Sequence, residues 1–269
     1  MLFAASLVEN RPLGPSSFVL RLGGARALSS ARPGQFVMLR GQWGRDPLLP
    51  RAFSILRVSP QDGECEILVK AMGRGTRLLA ELVPGATLSV LGPLGRPFPE
   101  PQAGRTDLLV AGGVGLAPLL WYAEVAHERG LTTELFYGAR TATELCLLDE
   151  IERTGSSLHV ATEDGSFQGR GGVTGRVTAA LRAYLEPAAP GPNPHVLTCG
   201  PNPMMKAVVQ LASAHHLPCL VSVEGEMACG IGACLGCAIP LVAEAGGTRP
   251  FGYACVDGPV FDAARIVLP

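Results

Sequence analysis

The sequence predicts a multi-domain protein, with an antiparallel β-barrel domain, an α/β domain around a parallel sheet, and a small C-terminal domain organised by cysteines. Three observations predict this order. Short apolar runs separated by glycine and proline fill the first third of the chain, a strand–glycine turn–helix unit lies in the middle, and three cysteines within nine residues lie near the end. We place the domain boundaries at residues 1–101, 102–222 and 223–269.

The first part of the chain contains six short runs with turn residues between them, as expected for the strands of an antiparallel barrel. Only residues 76–82 have the apolar spacing of a short helix. The six predicted strands cover residues 3–9, 17–22, 35–39, 52–58, 64–69 and 87–91.

Two motifs of the predicted barrel carry groups that can bind an anion. The stretch from Arg51 to Ser54 offers a guanidinium for a phosphate, an aromatic ring for stacking and a hydroxyl. The stretch from Gly73 to Thr76 opens the short helix, where free N–H groups form an anion site. Each motif is weak alone, because R-x-x-S is also typical of surface charge and G-x-G-T of a plain loop.

A βαβ unit is predicted in the middle of the chain. An apolar strand over 106–111 runs into Gly112, Gly113 and Gly115, and a helix over 118–129 and a strand over 133–137 follow. Such a turn is where a dinucleotide pyrophosphate binds. The match to G-x-G-x-x-G is partial, since Pro118 replaces the third glycine, and a tight turn without a ligand is the alternative.

A second turn of this kind follows a strand predicted over 195–198. Cys199, Gly200 and Pro201 end that strand, and a helix then runs to about residue 216. Ligands of open α/β sheets bind at the carboxyl ends of the strands, so this turn is a second candidate for the same site.

The strongest signal is the array of Cys229, Cys234 and Cys237, spaced C-x4-C-x2-C, with Cys255 following after seventeen intervening residues. This is the plant-type spacing for a [2Fe–2S] cluster, and the glycines between the ligands allow a loop to wrap a compact inorganic core. A structural zinc site is one alternative, disfavoured because zinc ligands usually come in two close pairs. Ordinary buried cysteines are the other, and we assign that role to Cys65, Cys146 and Cys219.

Composition excludes several classes of partner. The formal net charge of −1 gives no excess of basic residues for nucleic acid or an anionic membrane. No apolar run reaches the roughly 18 residues of a membrane helix, and the N-terminus lacks the basic region of a signal peptide. We therefore expect a cytoplasmic protein, in which clustered cysteines indicate metal or redox chemistry rather than disulfides.

Taken together and in this order, the motifs resemble those of the ferredoxin-reductase superfamily, and more closely the electron-transfer subunits of type B dihydroorotate dehydrogenase. The resemblance covers almost the full chain. Its most discriminating part is the stretch from Glu224 to Cys234, E-x-x-M-A-C-G-x-G-A-C. It implies an FAD barrel, an NAD domain and a C-terminal [2Fe–2S] domain.

The resemblance also implies roles for matching residues, and none of them is a general base or nucleophile. FAD would lie along Arg51, Ala52, Phe53, Ser54, Leu68, Val69, Lys70, Gly75 and Thr76. NAD would face Gly112, Gly113 and Gly115, with Cys199 and Gly200 near the nicotinamide. The cluster ligands would be Cys229, Cys234, Cys237 and Cys255.

The activity that the resemblance implies is electron transfer in pyrimidine biosynthesis. Dihydroorotate would be oxidised on the FMN of a separate catalytic subunit, and electrons would pass through the cluster and FAD to NAD+, in a heterotetramer of two subunits of each kind. Two alternatives stay open: a related reductase subunit serving a ferredoxin, hydrogenase or sulfite reductase, and a zinc-stapled binding module without chemistry. The sequence leaves open the preference between NAD and NADP.

The chain departs from the family pattern at three places. Ala52 stands where proline is common, and residues 95–98 differ from the usual Gly-Asn-Gly-Phe turn, which could alter the rim near the flavin. Residues 244–248 suggest a slightly lengthened hairpin turn before Cys255.

Overall fold

A closed six-stranded barrel forms the first part of the chain in the computed structural model, which describes residues 1–169, 171–186, 191–243 and 250–268. All neighbouring strands are antiparallel, in the order β1-β2-β5-β4-β3-β6. The strands are β1 (Leu2–Pro12), β2 (Ser17–Gly23), β3 (Phe36–Gly41), β4 (Arg51–Ser59), β5 (Glu64–Lys70) and β6 (Thr87–Leu94). The six predicted strands are thus confirmed, with small shifts at their ends.

The barrel closes because one face of each strand is apolar and points inward. Leu20 on β2 and Ile55 on β4 both lie opposite Ile67 on β5, and all three side chains are fully buried. Helix α1 (Arg74–Ala80) follows β5 and also contributes to this core. The Asn10 amide fixes the end of α1 by donating hydrogen bonds to three main-chain carbonyls there, at 2.9 to 3.2 Å.

The α/β domain contains a seven-stranded sheet in the order β10-β9-β8-β7-β11-β12-β15. Its first six strands are parallel, and β15 pairs antiparallel with β12 at the edge. The strands are β7 (Thr106–Gly112), β8 (Glu134–Ala139), β9 (Ser157–Thr162), β10 (Gly172–Thr174), β11 (Pro194–Cys199), β12 (Cys219–Ser222) and β15 (Val260–Asp262). The helices are α2 (Leu116–Glu128), α3 (Leu148–Arg153), α4 (Val177–Leu185) and α5 (Asn202–Ala214).

Helices cover both faces of this sheet, which explains why β7 is apolar at consecutive positions. Leu109 and Ala111 pack with α2 and α3 on the face toward the barrel, whereas Leu108 and Val110 pack with α4 and α5 on the other face. The predicted strands and helices of this domain are confirmed. The sequence did not predict β9, β10, α3, α4 or β12.

The C-terminal segment is small and is attached to both larger parts. Strands β13 (Ala238–Pro240) and β14 (Phe251–Tyr253) form a two-stranded sheet, and β15 extends the parallel sheet. The turn of Gly95 and Arg96 packs on this segment, with the Arg96 N–H donating to the Gly258 carbonyl at 2.5 Å. The hairpin turn expected at residues 244–248 lies outside the described residues.

An ionic network holds the barrel against the α/β domain. Arg57 on β4 pairs with Glu66 of the barrel at 2.9 Å, and with Glu124 on α2 and Glu150 on α3 at 2.5 and 2.6 Å. Arg11 on β1 also pairs with Glu150, at 3.1 Å. Because these side chains are mostly buried and carry several bonds each, the two domains are fixed relative to each other at the cleft between them.

Among the residues that the structure describes, the longest helices have 13 residues, which is too few to span a bilayer.

Candidate functional site

A cleft of about 400 Å³, here called the barrel cleft, runs along β4 and β5 to the start of α1 and is closed by the segment after β12. Eight of the nine residues expected at FAD line it: Arg51, Ala52, Phe53, Ser54, Leu68, Lys70, Gly75 and Thr76. The ninth, Val69, points into the barrel core, because side chains alternate along β5. Only the main chain of Val69 can face a ligand in this cleft.

One end of the barrel cleft is built around the Arg51 guanidinium. A Cβ atom on Gly75 would lie only 2.7 Å from Arg51 Nε, so a glycine is needed there for the guanidinium to lie against the start of α1. Arg51 also donates to the Leu49 carbonyl. The Thr76 hydroxyl accepts hydrogen bonds from the N–H groups of Met72 and Gly73 at 2.9 and 3.0 Å, which orders the turn before the helix. This end of the cleft therefore suits a phosphate.

The other end of the barrel cleft contains a carboxyl group to which the sequence assigned no role. Glu224 follows β12 and lines the cleft together with Met227 and Pro259. The Glu224 side chain is exposed to the cleft, yet partial loss of solvent around its carboxyl group raises its pKa. Its side chain forms no ion pair in the described part of the chain. Glu224 lies in the motif that carries the family resemblance, but its position beside the cleft follows only from the fold.

A second cleft, of about 520 Å³, lies at the carboxyl edge of the parallel sheet and is called here the sheet-edge cleft. Gly112 and Gly113, at the end of β7, line it as expected for a dinucleotide turn. Lys70 and Met72 line both clefts. Molecules bound in the two clefts would therefore meet at these two residues.

Three other residues expected at the dinucleotide form the packing beneath this cleft. A Cβ atom on Gly115 would lie 2.3 Å from the Cys199 carbonyl oxygen. A glycine at position 115 therefore lets the turn after β7 pass close to the turn after β11. Gly200 has φ +151° and packs on the Met204 side chain and on the main chain of Gly112. Cys199 is fully buried, and burial raises the pKa of its thiol far above the ordinary range. None of the three lines the cleft directly.

Charged side chains that the sequence did not single out surround the sheet-edge cleft. Glu144 pairs with Lys70 at 3.2 Å and with Arg140 at 2.8 Å. Burial alone would raise the pKa of Glu144, but hydrogen bonds from Lys70 and Arg140 lower it overall. Glu163 and Arg176 also line the cleft. Glu163 and Arg176 follow β9 and β10, so predicting those strands would have revealed both residues.

The four candidate cluster ligands lie together in two pairs. The Sγ atoms of Cys237 and Cys255 are 3.3 Å apart, and the Cys229 thiol contacts the Cys234 side chain. Main-chain N–H groups also point at the sulfurs: Cys229 accepts from Ile231 and Cys234 at 3.5 and 3.4 Å. Cys255 accepts from the Gly232 N–H at 3.1 Å.

The environments of the two pairs differ. The hydrogen bonds from the Ile231 and Cys234 N–H groups lower the pKa of Cys229 to about 6, which favours the thiolate form that binds metals. Burial and the neighbouring Cys237 raise the pKa of Cys255 to about 12. Cys234 is exposed, whereas Cys237 and Cys255 are buried.

This arrangement fits a two-iron cluster better than a single zinc ion. In the described ranges, no three or more His, Cys, Asp or Glu side chains converge as they would on one metal ion. A [2Fe–2S] cluster needs two thiolates on each of two irons, and the two pairs of cysteines supply them. A structural zinc site needs four ligands around one point.

The loop from Cys229 to Cys237, here called the cluster loop, is held against the barrel. Gly230 and Gly232 have φ values of +74° and +80°, which favour glycine. A Cβ atom on Gly230 would lie 2.5 Å from Met38 Cγ on β3, so the loop backbone packs directly on the barrel. The cysteines are therefore attached to the same barrel that forms the barrel cleft.

Comparison with known families assigns a class to these sites. An oxidoreductase FAD-binding domain matches residues 9–98, and an oxidoreductase NAD-binding domain matches residues 109–210. The iron–sulfur cluster binding domain of dihydroorotate dehydrogenase B matches residues 224–267. The chain is therefore an NAD-linked flavoprotein with an iron–sulfur domain. This confirms the predicted fold class and the predicted cofactors FAD, NAD and [2Fe–2S].

Relatives extend this similarity over the whole chain. Electron transfer subunits of dihydroorotate dehydrogenase B (NAD(+)) from Bacillus caldolyticus and Geobacillus kaustophilus are each 35% identical to it over 98% of this chain and 97% of theirs. The chain belongs to the family of dihydroorotate dehydrogenase B electron transfer subunits, which confirms the predicted resemblance.

The fold has also been solved in another flavoprotein. A chain of the NADH-dependent reduced ferredoxin–NADP oxidoreductase, a structure described for flavin-based electron bifurcation, superposes with a TM-score of 0.85. Its sequence is 28% identical, and the match covers 98% of this chain and 90% of that chain.

Proposed function

We propose that this chain accepts electrons from the FMN of a dihydroorotate dehydrogenase catalytic subunit and delivers them to NAD+, as the electron-transfer subunit in de novo pyrimidine (UMP) biosynthesis. The observation that carries the proposal is the meeting of the barrel and sheet-edge clefts at Lys70 and Met72. When bound, the cluster supplies one-electron transfer, and FAD converts single electrons to the hydride that NAD+ accepts.

The residues of the barrel cleft position FAD in this proposal. Arg51 and the turn at Gly75 and Thr76 bind its phosphates, because the guanidinium and the start of α1 lie together there. The strands from Ala52 to Ser54 and from Leu68 to Lys70 lie along the ring system. Val69 contributes only its main chain.

The glycine turns position the dinucleotide. Gly112 and Gly113 let the pyrophosphate approach the end of β7. Gly115, Cys199 and Gly200 act beneath the nicotinamide end by allowing the two turns to cross closely. The chain itself supplies no acid, base or nucleophile in this scheme, because hydride and electron transfer belong to the cofactors.

The cluster loop would hold the third redox group, the [2Fe–2S] cluster. Cys229 and Cys234 would hold one iron and Cys237 and Cys255 the other, and their pairing in space supports this. We assign residues 1–101 to the FAD domain, 102–222 to the NAD domain and 223–269 to the cluster domain.

The face of the cluster loop is the proposed docking surface for the catalytic subunit, in an assembly of two subunits of each kind. Ile231 and Leu235 are 58% and 53% exposed on either side of the exposed Cys234. The alternative is that these apolar side chains pack under the cluster. Interface cores are depleted of charge and more apolar than the rest of a protein surface.

A reductase that serves a ferredoxin is the alternative function, since ferredoxin is named for the solved structure of similar fold. The two are separated by activity with defined partners. The isolated holo-chain should oxidise NADH with an artificial acceptor and show no dihydroorotate turnover. Adding an FMN-containing catalytic subunit should produce dihydroorotate-dependent reduction of NAD+. Failure of that reaction, together with efficient reduction of a ferredoxin, would replace the proposal with the alternative.

A further inference from the structure

The short segment from Thr141 to Leu145, between β8 and α3, carries Glu144 to the wall of the sheet-edge cleft. A tight turn sets the position of this residue, because the Glu144 N–H donates to the Thr141 carbonyl at 3.1 Å. The Ala142 N–H donates to the Ser166 hydroxyl at 2.7 Å, which ties the segment to the loop after β9. Leu145 is buried in the core of the α/β domain. The α/β domain therefore fixes the backbone that bears the Glu144 carboxylate.

The barrel holds the same segment from the other side. In the turn after β1, a Cβ atom on Gly14 would lie 3.0 Å from the Thr143 carbonyl oxygen, and the neighbouring Leu13 packs against the core of the α/β domain. Lys70, the last residue of β5, reaches across from the barrel, and its Nζ lies 3.2 Å from an oxygen of Glu144. The pair of Lys70 and Glu144 thus joins the two domains at the place where the two clefts meet, here called the cleft junction.

The Lys70 ammonium group is the charge at this junction. Lys70 and Met72 line both clefts, and of these two only Lys70 is charged. The side chains of Lys70 and Glu144 are 24% and 22% exposed, so solvent screens their charges less than those of a surface pair. Glu144 also accepts from Arg140 at 2.8 Å, but that side chain is 69% exposed and its charge is well screened. The Glu144 carboxylate therefore offsets mainly the charge of Lys70.

A positive charge at the cleft junction acts on the flavin. Two-electron reduction with uptake of one proton leaves one extra negative charge on a flavin ring, and charges near the ring tune its reduction potential. The reacting ends of FAD and NAD must meet at the junction, beside Lys70. An ammonium group without its carboxylate would stabilise reduced FAD there, and hydride transfer from reduced FAD to NAD+ would become less favourable.

We propose that Glu144 is a positioning residue for electron transfer: it holds the Lys70 ammonium group at the cleft junction and offsets its charge, which lowers the reduction potential of FAD and favours hydride transfer to NAD+. Glu144 lines the sheet-edge cleft and not the barrel cleft, so it acts on FAD through Lys70. This inference rests on the proposed function, because it requires FAD in one cleft and NAD in the other.

The test measures the midpoint potential of FAD in the FAD- and cluster-loaded protein, by redox titration without nucleotide. Glu144→Gln removes the carboxylate charge and keeps the shape of the side chain, and Lys70→Gln removes the ammonium charge. Glu152→Gln on α3 is the matched control, because it makes the same change of charge at an exposed residue that lines neither cleft. Flavin content after gel filtration shows whether each variant is loaded.

Glu144→Gln should shift the equilibrium between oxidised and reduced FAD about tenfold toward reduced FAD, which raises the two-electron potential by about 30 mV. Lys70→Gln should shift it by a similar factor in the opposite direction. The protein with both substitutions, and the Glu152→Gln control, should each lie within about twofold of wild type. Both single substitutions break the same hydrogen bond, so a pair that only staples the two domains would give shifts of one sign.

Glu144→Lys is a second variant that leaves the residues of the barrel cleft intact. Reversal of the charge should shift the potential in the same direction as Glu144→Gln, and further. This comparison uses Glu144 alone, so it decides the question even if Lys70→Gln does not retain FAD.

The outcomes separate this inference from the proposed function. A wild-type protein that cannot bind FAD would overturn both. A loaded Glu144→Gln protein whose potential equals or falls below that of wild type, or shifts of the same sign in Glu144→Gln and Lys70→Gln, would overturn the role of Glu144 and leave the electron-transfer function standing.

Discussion

The α/β domain and the cluster loop are built in opposite ways. In the α/β domain, the residues from Leu108 to Ala111 of β7 are completely buried between helices on both faces. In the cluster loop, Ile231 and Leu235 are more than half exposed, and the two strands that follow the loop in the chain, β13 and β14, have only three residues each. The hydrophobic core beneath the sheet-edge cleft therefore holds that cleft in shape, whereas the shape of the cysteine site depends on the metal that its thiolates bind.

The two sites also differ in the contacts that stabilise them. The glycine turn at the end of β7 is fixed by buried neighbours before any nucleotide binds. The cluster loop has fewer buried residues: main-chain hydrogen bonds to sulfur and contacts with Met38, Leu94 and Val256 define its shape, and Cys237 at its end is buried. Substitutions of the cysteines should therefore have larger effects than substitutions at the clefts.

The largest effect is expected for Cys234→Ser. The exposed Cys234 is one of two cysteines available to one iron, and a serine oxygen is a harder and poorer ligand there. The cluster should be lost or severely depleted, as measured by visible absorption and iron content. Cys65→Ser is the control, because burial in the barrel raises the pKa of the Cys65 thiol to about 12 and places it outside the site. Equal loss of the cluster in both variants would show that the ligands are wrongly assigned.

Arg51→Ala should have the next largest effect, on FAD. Loss of a charge-assisted contact to phosphate should weaken FAD binding by about 10- to 100-fold while the barrel still folds. Flavin released on gel filtration measures this change, and circular dichroism reports the fold. Arg153→Ala on α3 is the control, because Arg153 is exposed and does not line the barrel cleft. Full flavin occupancy in the Arg51 variant would remove that residue from the site.

Leu235→Glu tests the docking surface. A charge in an apolar interface should weaken the complex with the catalytic subunit by about tenfold or more. NADH oxidation with an artificial acceptor should remain close to wild type, because Leu235 lines neither cleft. Val83→Glu is the control, since Val83 is 68% exposed on the barrel. A Leu235 variant that binds its partner as tightly as the Val83 variant would place the docking surface elsewhere.

Glu224→Gln should have the smallest effect, on the pH dependence of stability. The walls of the barrel cleft raise the pKa of Glu224 above the ordinary 4.5, but its side chain is exposed, so solvent screening keeps the cost of its ionisation small. This one carboxyl group should therefore lower the stability slightly as the pH rises from 4.5 through the raised pKa, and the glutamine variant should lack that contribution. Thermal unfolding midpoints of flavin-free protein at pH 5 and 8 measure the difference. An equal pH dependence in both proteins would contradict it.

The two regions also differ in what the sequence could predict. The barrel strands and the βαβ unit were predictable because their apolar patterns are local, and so was the spacing of Cys229, Cys234 and Cys237. Strand β15 was not predictable, since it pairs with β12 across a long separation in the chain. Arg176 was missed because β10 has only three residues and carries little pattern, and Glu163 was missed because β9 was not predicted. Glu224 needed the fold to bring it beside the barrel cleft.

The paired cysteines and the barrel cleft of one chain should hold a cluster and a flavin together. The decisive measurement is the content of iron, acid-labile sulfide, zinc and flavin in anaerobically purified protein. We expect one FAD and one [2Fe–2S] cluster per chain, that is about two irons and two sulfides. Zinc without sulfide, or iron and sulfide without any capacity to bind FAD, would contradict it.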